Sequence, residues 1–332
     1  MTLSPRAQAL LDRAVIWDNH AGMPIRPGDT AFLPELERYR SFGASMVLLN
    51  VSFDLKPWHH GFKMLATFRT WLARFPDRYL RIESVDDVYR AKREGKLGVA
   101  FNLEGGSAVD DMPELVEPYY ALGVRWMLIA YNRANRLGGG CQDADDPGLT
   151  EFGRRVIDEM ERVGMVLCCT HTGRRTALEA MEYSRNPVIF SHSNPRALRD
   201  HPRNIADELI VACAATGGVI NINGVGLFLG EYDVSTETVV RHLEYVAGLV
   251  GTDHLGLGLD YCFDIAEVDA HMAENPHLFP PEKGYGAGRM QTVEPERIPV
   301  IADALLARGW SETAVLGVLG ENNLRVASRV WR

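Results

Sequence analysis

Nowhere in the chain do roughly 18 apolar residues follow one another without interruption, which excludes an ordinary membrane-spanning helix. The opening stretch MTLSPRAQALLDRAVIWDNH lacks the apolar core and small-residue cleavage site of a secretory signal. These absences lead to the expectation of a soluble, cytoplasmic protein with no membrane partner. Basic runs are missing as well: Lys plus Arg is 35 against 44 Asp plus Glu, a net charge of −9. Binding to DNA or RNA through phosphates is therefore not expected. The five cysteines, Cys141, Cys168, Cys169, Cys213 and Cys262, are odd in number and form no C-x-x-C. That argues against a disulfide framework and against a cysteine zinc site. Cys168 and Cys169 lie in an apolar run and read as buried free thiols, in keeping with a reducing compartment.

What the sequence does contain is an ordinary globular balance, 46% hydrophobic and 24% charged over 332 residues. A barrel of alternating strands and helices commonly takes up such a length as one domain, here residues 1–332. Short, strand-like apolar runs recur at Ala14–Asn19, Ser45–Val51, Leu97–Leu103, Arg125–Tyr131, Met165–Thr170, Pro187–Ser191, Gly217–Asn223 and His254–Asp260. Several are almost continuously apolar, as buried parallel strands should be. Between them, helical apolar spacing marks Thr30 to Arg40, Phe62 to Phe75, Met112 to Leu122, Thr150 to Val163, Ile205 to Thr216, Thr236 to Val250 and Pro295 to Arg308. Thr150 reads as a helix N-cap. This alternation predicts an α/β fold, a (β/α)8 TIM-type barrel rather than a doubly wound sheet.

In such a barrel, functional groups come from the C-terminal ends of several strands. The first run is followed by His20, the third by Glu104, and the fourth ends at Tyr131. The fifth runs into His171, the sixth into His192, and the eighth ends at Asp260. Neutral imidazoles and carboxylates are good ligands for zinc and similar divalent ions. A glutamate can bridge two ions with its two oxygens. Such ions polarise a carbonyl and lower the pKa of a bound water, while an aspartate beside that water can move its proton. Taken singly, a strand-end histidine is an ordinary hydrogen-bonding residue, and a strand-end carboxylate is an ordinary cap or ion-pair partner. Their convergence on one face of one barrel is what points to a metal centre.

The segments WDNHAGMP (Trp17–Pro24), FNLEGG (Phe101–Gly106), LGVRWMLIAYN (Leu122–Asn132) and the long stretch Leu149–Gly173 are then recognisable together. So are PVIFSHSNPRAL (Pro187–Leu198), Arg203–Asn223, DHLGLGLDY (Asp253–Tyr261) and the closing LGENNLRVASRVW (Leu319–Trp331). In these the chain resembles the membrane (renal) dipeptidase family of zinc metallopeptidases, within the amidohydrolase superfamily. The resemblance implies a metal-dependent hydrolase of small peptides, including L-Xaa-D-Xaa dipeptides, with two zinc ions. His20 and Glu104 would hold one ion, and Glu104, His171 and His192 the other, with Glu104 bridging. It implies that Asp260 contacts the bridging water and shuttles its proton, and that Arg203 binds the substrate carboxylate through its guanidinium fork. Family members often dimerise, so a homodimer is the assembly the resemblance implies.

Two positions depart from the family pattern. Its first motif is His-x-Asp, with the Asp also on the first zinc; here the sequence is His20-Ala21-Gly22. Residues two apart on an extended segment face the same way, so Gly22 removes a carboxylate and weakens the first metal site. Asp18 shares that parity but lies deeper. The second departure is Tyr131, where the family carries a histidine that steadies the oxyanion; a phenol can donate to an oxyanion as well. These departures keep two alternatives open: a one-metal or altered-metal amidohydrolase acting on another amide, ester or lactam, and a catalytically inactive binding homologue. The stretch from Phe263 to Val293 is expected as a long loop over the active site, its His271 and His277 facing solvent.

Overall fold

The structure, a computed structural model, describes residues 3–286 and 290–332. Among the described residues nine strands form the sheet: β1 Trp17–Gly22, β2 Met46–Phe53, β3 Tyr79–Arg81, β4 Leu97–Glu104, β5 Val124–Leu128, β6 Val166–Cys168, β7 Ile220–Ile222, β8 Leu255–Leu257 and β9 Tyr261–Cys262. Every pairing between them is parallel, in the order β6-β5-β4-β2-β1-β8-β7. The path closes on itself through the Pro187–Ser191 run, which makes single parallel bridges at Cys168–Ile189 and Phe190–Ile220. The eight expected runs are thus the staves of a closed barrel, with the sixth reduced to bridges.

Two short strands lie beyond that expectation. β3 pairs with the first residues of β4, from Tyr79 opposite Leu97 to Arg81 opposite Val99. β5 takes over on the same strand from Phe101 onward. β9 extends the wall above β8 by pairing with Ala21 and Gly22.

The side-chain period of two sorts each strand's residues between layers. Met46 and Leu48 on β2 join Trp126 and Leu128 on β5 in a cluster that the C-terminal helix Asn322–Val330 closes. Their neighbours Val47, Leu49 and Met127 belong to the larger cluster between the sheet and the surrounding helices. The helix Glu151–Val163 shows how the outer layer is pinned. Thr150 accepts from the Gly153 amide as its N-cap, as expected, and Gly164 ends it in the left-handed region. Among the described residues no helix is long and apolar enough to cross a membrane.

The alternation breaks where the site begins. β1 slips register against β2 between Asp18 and Ala21, and β2 slips against β4 between Asn50 and Ser52. Such irregularities re-aim side chains next to functional sites. The slip in β1 overturns the expected shared parity of Asp18 and His20. Asp18 instead points into the outer layer, where its carboxylate accepts from the Tyr39 hydroxyl at 2.7 Å and from the Leu259 amide at 2.9 Å.

The segment expected as a long loop, 263–293, contains a ten-residue helix, Ile265–Glu274, and a turn of 3-10 helix at Pro281–Lys283. Residues 287–289 of that stretch lie outside the described residues. Leu278, Phe279, Tyr285 and Met272 from this segment pack with Phe228, Leu227 and Val225 in a small cluster separate from the barrel cores.

Candidate metal centre

His20 lies within β1, Glu104 ends β4, His171 follows β6, His192 follows the bridged run, and Asp260 follows β8. All five side chains converge at the C-terminal mouth of the barrel. Glu104 Oε1 lies 3.5 Å from His20 Nε2, 3.5 Å from His171 Nε2 and 3.2 Å from His192 Nε2. His171 Nε2 and His192 Nε2 are 3.1 Å apart, and His20 Nε2 is 3.3 Å from Asp260 Oδ1. The His20 and His192 rings stack with centroids 4.1 Å apart.

Two overlapping sets of potential metal ligands result: His20, His192 and Asp260, and Glu104, His171 and His192, the ligand atoms of each set within 4.8 Å of one another. One oxygen of Glu104 faces all three imidazoles, while its Oε2 accepts from Asn50 Nδ2 at 2.8 Å.

These groups are aimed by their neighbours. The His171 ring nitrogen Nδ1 meets Asn132 Oδ1 at 2.7 Å, and His192 Nδ1 meets the Ser191 hydroxyl at 2.8 Å. Asp260 Oδ2 accepts from Asn223 Nδ2 at 2.9 Å, and the Asp260 amide donates to the His20 carbonyl at 2.9 Å. Asn132, His171 and Asp260 all hold positive φ, at 62°, 62° and 56°. Non-glycine residues adopt that region at a cost, and such strain gathers at functional sites.

Charge is the pressing feature of the site. Burial pushes the Glu104 carboxyl up to about 7, opposed by His20 and reinforced by Asp260. Burial likewise holds His171 well below its ordinary value, with Arg203 and His20 adding to the effect; His192 behaves the same way. Burial pulls His20 down too, but Glu104 and Asp260 outweigh it and leave that imidazole raised. Two neutral imidazoles whose Nε2 atoms face one another, beside buried carboxylates, form a costly arrangement on their own. The same donor set suits a divalent cation, since it presents nitrogen and carboxylate ligands already stripped of water. The residues present therefore fit the metal group expected from the sequence.

Arg203 is buried at the edge of the centre. Its Nη2 donates to the His192 carbonyl at 3.2 Å, its guanidinium lies over the Phe228 ring at 5.1 Å, and its Nε has no hydrogen-bond partner among the described residues. No carboxylate among the described residues is ion-paired to it. Tyr131 stacks on the His171 ring at 4.2 Å, and its amide donates to Asp54 Oδ2 at 2.8 Å. Burial raises the Tyr131 phenol well above its usual value, so it remains a hydrogen-bond donor. His20, Glu104, Tyr131, His171, Arg203 and Asp260 all line one cavity of about 370 Å³.

Gly22 lines the same cavity, and the carboxylate missing there is not supplied by Asp18, whose oxygens are taken up elsewhere. Of the histidines expected to face solvent, His277 is exposed. His271 is not: it packs edge-on against Phe53 at 5.1 Å and lines the cavity.

Sequence reasoning missed the amides that orient the centre. Asn50 and Asn223 lie in the two strand runs, the second and the seventh, to which no candidate was assigned. The strand-end rule applied to those runs would have reached them. Asn132 follows Tyr131 directly and carries no signature of its own.

Comparison with known proteins identifies the family. A family model described as Membrane dipeptidase (Peptidase family M19) matches residues 5–275. The chain is 25% identical over 319 residues to Dipeptidase verJ of Clonostachys rogersoniana, covering 95% of this chain and 72% of that protein. Among solved structures, an amidohydrolase from Pseudomonas aeruginosa superposes with a TM-score of 0.86 at 27% identity, covering 98% of this chain and 99% of that one. A metallopeptidase from Rhodobacter sphaeroides, liganded with a phosphinate mimic of the dipeptide L-Ala-D-Ala, superposes with a TM-score of 0.74 over 96% of this chain and 99% of that one. Its 18% identity makes that a likeness of fold.

Proposed function

Since the chain belongs to the membrane dipeptidase family, peptidase family M19, we propose that it is a zinc-dependent dipeptidase that cleaves short peptides, L-Xaa-D-Xaa dipeptides among them. The observation that carries this reading is the convergence of His20, Glu104, His171, His192 and Asp260 on one point of a cavity that Arg203 also lines. The phosphinate held by the Rhodobacter structure mimics a dipeptide of the L,D type, which makes that stereochemistry a natural part of the substrate panel.

In this reading His20, Glu104, His171 and His192 would hold the metal, with Asp260 beside them. Bound zinc supplies Lewis acidity toward the scissile carbonyl and lowers the pKa of water. The protein's own groups do the rest. Arg203, with no carboxylate ion-paired to it among the described residues, pairs with the substrate's C-terminal carboxylate through its planar fork. That anchor sets the scissile carbonyl against the cluster. Asp260, whose side chain is 20% exposed and reachable from the cavity, takes a proton from the attacking water and delivers it to the leaving amine. Asn223 fixes that carboxylate from its other oxygen. The Tyr131 phenol, held protonated by burial, donates to the oxyanion of the tetrahedral intermediate. Its five free thiols favour a reducing, cytoplasmic setting for the enzyme.

The test is hydrolysis of an L,L and L,D dipeptide panel by zinc-loaded protein, repeated after chelation. Zinc-dependent cleavage is expected; a folded, metal-loaded protein that cleaves none of the panel sinks the reading. Gly22 favours a second reading, in which one well-held metal serves hydrolysis of another amide, ester or lactam. Metal stoichiometry of one with activity on such a substrate, and none on dipeptides, would select it.

A further inference from the structure

The cavity above the metal centre has an aromatic wall of which the reaction just described uses only the Tyr131 phenol. Phe53 at the end of β2, Tyr131 after β5, and His271 and Phe279 from the segment beyond β9 form a closed circuit of ring contacts. Centroids are 5.4 Å apart for Phe53 and Tyr131, 6.4 Å for Tyr131 and Phe279, 5.5 Å for Phe279 and His271, and 5.1 Å for His271 and Phe53. All four rings line the cavity. The last three contacts are edge-to-face, at 63°, 72° and 80°. That arrangement aromatic rings prefer, and it accepts a further ring in the same manner.

The circuit joins two separately built parts of the molecule. Phe53 and Tyr131 stand on the barrel, whereas Phe279 belongs to the small apolar cluster above the mouth. Its position relative to the chemistry is given by Tyr131, whose ring stacks on His171. A dipeptide held by its carboxylate at Arg203, with its peptide bond at the cluster, carries a side chain on each side of that bond. The ring wall begins beside the cluster.

We infer that Phe53, Tyr131, His271 and Phe279 form a specificity subsite that takes one aromatic or large branched apolar side chain of the dipeptide, an inference that rests on the dipeptidase reading above. Size supports it. About 370 Å³ lies near the lower end of small-ligand cavities, roughly 300–1,000 Å³, which suits a dipeptide with one large side chain better than a longer peptide. Charge supports it too. Lys56 Nζ lies 5.5 Å from the Phe53 ring and disfavours a cationic side chain. Asp264 and Glu267 on the same cavity are already ion-paired to Arg26, at 3.1 and 2.6 Å.

The experiment measures two quantities on zinc-loaded protein. One is the affinity, by calorimetry, of phosphinate isosteres of Ala-Ala, Phe-Ala and Ala-Phe. The other is kcat/KM for the matching dipeptides, with L and D residues at the second position. A preference of about 10–100-fold for phenylalanine at one of the two positions is expected from burial of one such side chain. Phe279→Ala and His271→Ala should reduce that preference to within about threefold while leaving Ala-Ala turnover within about twofold. His271→Phe, which keeps the ring, should retain the preference. Ala-Ala hydrolysis without any phenylalanine preference overturns the subsite and leaves the dipeptidase standing. A preference in phosphinate binding with no hydrolysis of any dipeptide supports the subsite and overturns the dipeptidase. Failure to bind any of the three isosteres overturns both.

Discussion

Gly22 and Cys262 sit opposite one another where β1 pairs with β9, and a Cβ added at Gly22 would meet Cys262 Sγ at 3.4 Å and the Tyr261 carbonyl at 3.7 Å. Both are ordinary contact distances, and Gly22 is not among the glycines in the left-handed region. The backbone therefore does not demand glycine here. What glycine does is leave the cavity wall next to His20 without a carboxylate. Gly22→Asp should fold normally and bind its more weakly held cation about tenfold more tightly, roughly 1.4 kcal/mol. Titration with zinc against a chelator of known affinity reads this directly; an unchanged binding curve would show that the side chain does not reach the metal.

His171 and His192 each turn one Nε2 toward Glu104 Oε1, at 3.5 and 3.2 Å, and one such nitrogen can serve one cation. Replacing either histidine with Ala should therefore lower metal content as well as rate. Each variant should retain less zinc than the wild type, and both should abolish hydrolysis. Metal analysis of the purified variants beside the dipeptide assay checks this. Near-normal hydrolysis by either variant would sink the ligand assignment.

Metal binding should release protons. Without a cation, burial holds the Glu104 carboxyl up to about 7, and the carboxylates around His20 hold that imidazole above its ordinary value. Both must lose their protons to act as ligands. Affinity should accordingly fall as the pH drops through about 7, by roughly tenfold per unit for each proton displaced. Calorimetry at pH 6.5 in two buffers of different ionisation enthalpy counts those protons. A count of zero at pH 6.5 would mean that the cluster is already deprotonated before the metal arrives.

The staves of the barrel were legible because a strand buried on both faces needs an almost continuous apolar run, as Met165–Thr170 and His254–Asp260 have. The convergence of the candidate metal ligands was legible because barrel architecture sends strand ends to one mouth. Other features left no such trace. β3, three residues long, pairs along one edge with the first residues of β4, which no apolar run announces. The helix Val85–Glu94 is mostly charged. Its signal lay in the capping box of Ser84 and Asp87, not in apolar spacing. The helix Ile265–Glu274 read as loop because it covers the barrel mouth and buries Met272 alone among its residues. The slip in β1 was hidden for a different reason. A register irregularity depends on what the neighbouring strand offers, so counting alternate residues along β1 put Asp18 on the wrong face.

Asp18 itself yields a stability prediction. It is fully buried, and burial raises its carboxyl from 3.8 to about 6 against the opposing bonds from Leu259, Tyr39 and His20. A carboxyl whose folded pKa lies above its unfolded value is favoured in the fold when protonated. Its contribution is therefore complete below about pH 4 and is lost as the pH rises through about 6. The shift corresponds to a penalty on the order of 2–3 kcal/mol at neutral pH in the metal-free protein. Asp18→Asn keeps an oxygen to accept from the Leu259 amide, turns its amide nitrogen toward the Tyr39 hydroxyl, and carries no proton to lose. Chelated wild type and variant, unfolded in urea at intervals from pH 4 to pH 8, should then diverge in one direction. The variant should gain on the wild type as the pH rises from about 4 to about 6, and the difference should level off above that. A difference that stays flat over that range would mean that Asp18 is ionised in the fold throughout, with its three hydrogen bonds outweighing its burial.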